Sequence, residues 1–131
     1  MVTEHTRVAV VMDPIADIQT AKDTTLAMLL AAQNRGWRLS YLELRNIWLR
    51  DGVAMGRARA LEVRDDPDSW FSLAEPEVCP LGEFDVILMR KDPPFDTEYI
   101  YSTYVLERAQ LQGALVVNRP QGLRDMNEKV F

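Results

Sequence analysis

Three short apolar runs each close on a polar cluster followed by proline: Met12-Asp13-Pro14, Met89-Arg90-Lys91-Asp92-Pro93-Pro94 and Val117-Asn118-Arg119-Pro120. Proline fixes the local φ and removes a backbone donor, so each cluster should sit on a stiff loop. Arg90, Lys91 and Arg119 on such loops can grip carboxylates, for which guanidinium forks supply paired hydrogen bonds. Asp13 can receive a substrate ammonium. A plainer reading stands beside this one. Asp-Pro and Asn-x-Pro are ordinary turn sequences, and Asp96-Thr97 with Glu98 can cap a following helix. Arg90 and Asp92 can also form a surface ion pair that contributes little.

The rest of the chain offers little further chemistry. Its glycines fall at 36, 52, 56, 82, 113 and 122, which permits neither a Gly-x-Gly-x-x-Gly turn nor a Walker-type loop followed by lysine. No His-Glu-x-x-His, Cys-x-x-Cys or Gly-x-Ser-x-Gly occurs, so no self-contained catalytic centre can be read. The single histidine, His5, lies in a polar lead and reads as a solvated residue. The single cysteine, Cys79 before Pro80, reads as an inert connector thiol.

The elements that must carry the three clusters follow from the apolar pattern. Val8 to Met12, Val86 to Met89 and Ala114 to Val117 are nearly continuous runs, as expected of strands buried on both faces of a parallel sheet. Leu26, Leu29, Leu30 and Gln33 keep helical spacing, with Asp23 or Thr24 as the cap and Gly36 as the stop. Thr97 to Gln112 forms a second helix, with Ile100, Tyr104 and Leu111 on one side and Gly113 as its stop. Helical spacing of Tyr99, Tyr101 and Tyr104 favours core packing for at least one of them. Arg38 to Leu44 reads as another strand. Alternation of strand and helix predicts an α/β domain: a Rossmann-like, open, mainly parallel sheet flanked by helices. If its strands are parallel, all three polar clusters emerge at the carboxyl edge, where open α/β sheets bind ligands.

Between the second strand and Val86 lies an insert, roughly Ile47 to Ala74. Asp51-Gly52 has the composition of a tight turn, which predicts an inserted β-hairpin. Arg57 to Arg64 mixes charged and apolar residues and should have one wet face. Asp65-Asp66-Pro67-Asp68 breaks the pattern, and Trp70-Phe71 follows as an apolar anchor. Trp48, Trp70 and Phe71 suit a subunit interface and core packing equally. Glu75 to Pro80 reads as a Pro-bearing connector. Gly122 to Phe131 is helix-like and stops on Val130-Phe131, as a chain that continues would.

Size and charge bound the function. The 131 residues, 47% hydrophobic and 27% charged, fit one soluble globular domain. Acidic residues exceed basic ones by 20 to 15, for a net charge of −5, which disfavours nucleic acid as the main partner. No apolar stretch approaches the ~20 residues of a membrane helix. With no signal-like lead and one cysteine, the expected location is the cytoplasm.

The run Val86-Ile87-Leu88-Met89-Arg90-Lys91-Asp92-Pro93-Pro94-Phe95-Asp96 resembles the bacterial glutathione synthetase family. The likeness also takes in Val11 to Ile15, Lys22 to Thr25, Ala27 to Leu30, Thr97 to Tyr101 and Val117 to Asp125, so it covers essentially the whole chain. It implies the N-terminal, pre-ATP-grasp domain over residues 1–124, with 125–131 opening the connection to two ATP-grasp lobes. Such ligases use ATP and Mg²⁺ to phosphorylate the cysteinyl carboxylate of γ-glutamylcysteine, and the glycine amine attacks the acyl phosphate. The chain stops where the lobes begin, so the resemblance implies no catalytic and no metal-binding residue in these 131 residues, which should be inactive alone. The implied job is one wall of the dipeptide site. Arg90 and Lys91 would meet a carboxylate, Asp13 the ammonium or Arg90 itself, Asp92 would shape the loop, and Asn118 would complete the set. The resemblance also implies a homotetramer. Two rivals remain: a stand-alone Rossmann-like binding module such as a receiver, and the N-terminal domain of another carboxylate–amine ligase.

Overall fold

The structure is a computed structural model that describes residues 6–17, 24–66, 69–90 and 97–118. In chain order the elements are β1 (Arg7–Val11), α1 (Thr24–Asn34), β2 (Arg38–Leu42), β3 (Ile47–Arg50), β4 (Val53–Val63), β5 (Phe71–Pro80), β6 (Val86–Met89), α2 (Thr97–Leu111) and β7 (Leu115–Asn118). Short 3₁₀ turns lie at Ile15–Asp17, Leu44–Asn46 and Leu81–Glu83. Among the described residues the strands join one seven-stranded sheet. Its half β2-β1-β6-β7 is parallel, as the continuous apolar runs predict. Two strand–helix–strand units, β1-α1-β2 and β6-α2-β7, build that half.

The helices lie on opposite faces, and β1 shows why. Val8 and Val10 point into one core with Leu26 and Leu29 of α1. Ala9 and Val11 point into the other with Val105, Leu106 and Ala109 of α2. A strand buried on both sides cannot alternate in polarity, which is the pattern its sequence carries. Both helices stop at glycines in conformations disfavoured for other residues, Gly36 at φ 84° and Gly113 at φ 125°.

The insert is larger than one hairpin. The Asp51-Gly52 turn, with both φ values positive at 53° and 81°, joins β3 to β4 as the sequence predicts. The segment read as a connector, Glu75 to Pro80, is instead the second half of β5 and pairs antiparallel with β4. The result is a β3-β4-β5 meander. Leu61 of β4 pairs with Leu39 of β2 on one edge and Leu73 of β5 on the other. Trp70 is buried in the core on the α1 face, with Phe71 edge-on to it at 5.0 Å. Core packing is therefore the role of these two aromatics; Trp48 is half-buried.

On α2 the side carrying Ile100, Tyr104 and Leu111 is the exposed one, while Ser102, Val105, Leu106 and Ala109 face the sheet. Tyr99 is the tyrosine that packs against the core. β7, edged by no further described strand, leaves Leu115 exposed and Val116 and Val117 half-buried, so this run is not buried on both faces as expected.

Close backbone approach fixes the end of α2. Gln112 accepts the Ala54 N–H at 3.1 Å and donates to the Gly52 carbonyl at 3.2 Å, tying the helix to the hairpin turn. A Cβ added at Gly82 would stand 2.8 Å from the Gln112 carbonyl oxygen and 2.9 Å from its Cβ. Backbone cannot swing aside as a side-chain tip can. Gly82→Ala is therefore expected to destabilise the domain by about 1–3 kcal/mol, read as a lower urea midpoint; an unchanged midpoint would contradict this packing.

Candidate functional site

The parallel strands bring their carboxyl ends into one row. Leu42 pairs with Val11, Val11 with Met89, and Met89 with Asn118. Beyond that row the Met12 N–H donates to the Leu42 carbonyl at 3.0 Å, and the Arg90 N–H donates to the Val11 carbonyl at 2.8 Å. These bonds carry the ladder one residue past the strands and hold the backbone on either side of β1. Asp13 and Arg90, both half-buried, therefore stand at the ends of neighbouring strands. Asn118 closes β7 in the same row. The Asn118 side chain, Lys91, Asp92, Arg119, Asp96, His5 and residues 119–131 lie outside the described residues.

A fourth strand end contributes groups that the sequence reading passed over. β2 stops at Leu42, so Glu43 is a strand-end residue and not part of a longer strand. Its carboxylate accepts a 2.5 Å hydrogen bond from the Tyr41 hydroxyl and lies 3.2 Å from the Arg45 guanidinium. The Glu43 N–H is taken by the side-chain oxygen of Asn46 at 2.8 Å. The Tyr41 oxygen in turn accepts the N–H of Ile15 at 3.1 Å. Burial, and next the bond to Glu43, hold the Tyr41 phenol well above its ordinary range. It stays protonated and donates. Tyr41, Glu43, Arg45, Asn46, Arg57 and Arg59 line a recess of about 180 Å³ beside this edge. The missed signal was local: Glu43 follows an apolar run just as Asp13 and Arg90 do.

Two other cavities lie elsewhere. One of about 280 Å³ separates α2 from β6 and β7, lined by Met89, Tyr99, Thr103, Glu107 and Gln110 among others. Another, about 320 Å³, opens toward the amino ends of β1 and β2, beside Arg7, Arg38 and Cys79. Burial pushes the Cys79 thiol up and favours its protonated form, opposed by the Arg7 guanidinium. Arg7 also stacks over Phe84 at 4.8 Å and lies 3.5 Å from Glu83. That half-exposed pair contributes little. Among the described residues no group of three His, Cys, Asp or Glu could hold a metal ion, and no helix is long and apolar enough to cross a membrane.

What this edge can do is recognise a small zwitterion. It has a carboxylate two residues past β1, a guanidinium one residue past β6 and an amide residue ending β7, with ladder hydrogen bonds fixing the backbone at Met12 and Arg90. Comparison with known proteins gives the family. Residues 6–124 match the family model described as prokaryotic glutathione synthetase, N-terminal domain. The glutathione synthetase of Pseudomonas aeruginosa is 60% identical over 125 residues, 95% of this chain and 39% of that protein. That of Shewanella oneidensis is 56% identical over 95% of this chain and 40% of its own length. For Escherichia coli O6:H1 the identity is 54%, with the same coverage. The chain spans about two fifths of the length of the curated relatives it matches.

Proposed function

The chain belongs to the family of prokaryotic glutathione synthetase N-terminal domains, and on that premise we propose that its carboxyl sheet edge forms one wall of the γ-glutamylcysteine site of an ATP-dependent carboxylate–amine ligase. The observation that supports this most is the row Asp13, Arg90 and Asn118 at three adjacent parallel strand ends. γ-Glutamylcysteine carries two carboxylates and one ammonium, and the edge offers groups of the opposite kind. Arg90, with Lys91, meets a carboxylate; Asp13 meets the ammonium; Asp92 shapes the loop; Asn118 completes the wall.

In this reading the domain binds and orients, and the bond-making groups lie in the rest of the whole protein. Neither a phosphate-cradling glycine loop nor a metal-holding group occurs among the described residues. In this reading ATP and Mg²⁺ are held by the rest of the whole protein. The same proposal includes glycine as the second substrate, a homotetramer and a cytoplasmic location.

A coupled assay of the whole protein tests the reading. Glutathione should form only with γ-glutamylcysteine, glycine and ATP all present. Turnover with a different carboxylate donor, and none with this dipeptide, would overturn it.

A further inference from the structure

We propose that Tyr41 is a positioning residue for the dipeptide: its hydroxyl, steadied by Glu43, braces the Asp13-Pro14 turn in the conformation that presents Asp13 to the substrate ammonium. This rests on the assignment of Asp13 given above.

The brace is visible in how β2 holds the turn. Two consecutive β2 residues grip it, one on each side of Asp13-Pro14. Upstream, the Leu42 carbonyl takes the Met12 N–H at 3.0 Å. Downstream, the Tyr41 oxygen takes the Ile15 N–H at 3.1 Å. Pro14 between them has no N–H to offer and biases Asp13 toward extended backbone. The Tyr41 bond is thus a direct tie between the downstream half of the turn and the sheet.

The tie is rigid for three reasons. The Tyr41 ring is 4% exposed and packs in the α1-face core with Met12 and Leu39. Ile15 is 3% exposed, so its N–H would have no water to turn to if the hydroxyl were removed. The hydroxyl proton is directed to Glu43, which leaves the phenol oxygen oriented to accept from Ile15. Arg45 holds Glu43 from the solvent side.

Tyr41→Phe in the whole protein isolates this bond, because the ring and its packing stay. A brace predicts a KM for γ-glutamylcysteine raised about 5- to 30-fold, as when a buried donor loses its partner and a binding group loses its aim. The kcat and the KM for ATP should stay within about twofold. Asp13→Asn should raise the same KM, and adding Tyr41→Phe to it should cost less than about threefold more, because both changes act through one contact. If Asp13→Asn raises KM while Tyr41→Phe leaves it within twofold, the brace is overturned and the Asp13 assignment stands. If Asp13→Asn leaves KM unchanged, that assignment falls and the brace with it. Effects that multiply in the double variant, or a Tyr41→Phe protein in which kcat and both KM values shift together with a lower Tm, would also overturn the brace.

Discussion

A polypeptide of these 131 residues is expected to form no glutathione from γ-glutamylcysteine, glycine and ATP, at any concentration where the whole protein turns over. The chain covers about two fifths of the relatives it matches. Transfer of a phosphoryl group needs cationic groups and metal placed to neutralise developing charge. The described residues supply no metal-holding group. An acyl phosphate must also be kept from water, which an open sheet edge by itself cannot do. ATP-dependent product above the blank from the purified polypeptide would show that these requirements are met within the domain.

Arg90→Ala in the whole protein is expected to lower kcat/KM for γ-glutamylcysteine about 10- to 100-fold, with the KM for ATP nearly unchanged. Arg90 is half-buried, and its N–H is locked to the Val11 carbonyl, so its guanidinium starts from fixed backbone. A charged hydrogen bond is worth about 1.5–3 kcal/mol, which sets the range. Arg90→Lys should recover only part of the loss, because an ammonium cannot make the paired contact of a guanidinium. A change within about twofold for Arg90→Ala would remove Arg90 from binding and from transition-state stabilisation alike.

Much of this domain could be read before its structure, and the exceptions have physical causes. Val86 to Met89 is apolar on both faces and became a central strand. Gly36 and Gly113 marked helix ends because a positive φ is easiest for glycine there. β5 was hidden by Pro76 and Pro80, which argue against a central strand. Among the described strands it pairs only with β4, and on a strand with one paired side prolines are tolerated. On α2 both stripes obey helical spacing, and spacing alone cannot choose between them. Packing chose the smaller set, in which Ala109 permits close approach and the buried Ser102 hydroxyl donates to the Glu98 carbonyl at 2.8 Å.

At the candidate site, Asp13 and Arg90 stand out in the sequence because strand ends and prolines are local features. Tyr41 does not, because its contact with Ile15 joins β2 to the turn after β1, 26 residues apart in sequence. Extending β2 to Leu44 also concealed Glu43 inside the strand.

Contact between the carboxyl sheet edge of this domain and the dipeptide is open to direct observation. An amide chemical-shift titration of the 131-residue chain with γ-glutamylcysteine, and separately with ATP, tests it most directly. Shifts confined to Asp13, Arg90 to Asp92 and Asn118 are expected with the dipeptide, and none with ATP. Silence toward the dipeptide would reduce the domain to scaffold, and a response to ATP alone would make this edge a nucleotide site instead.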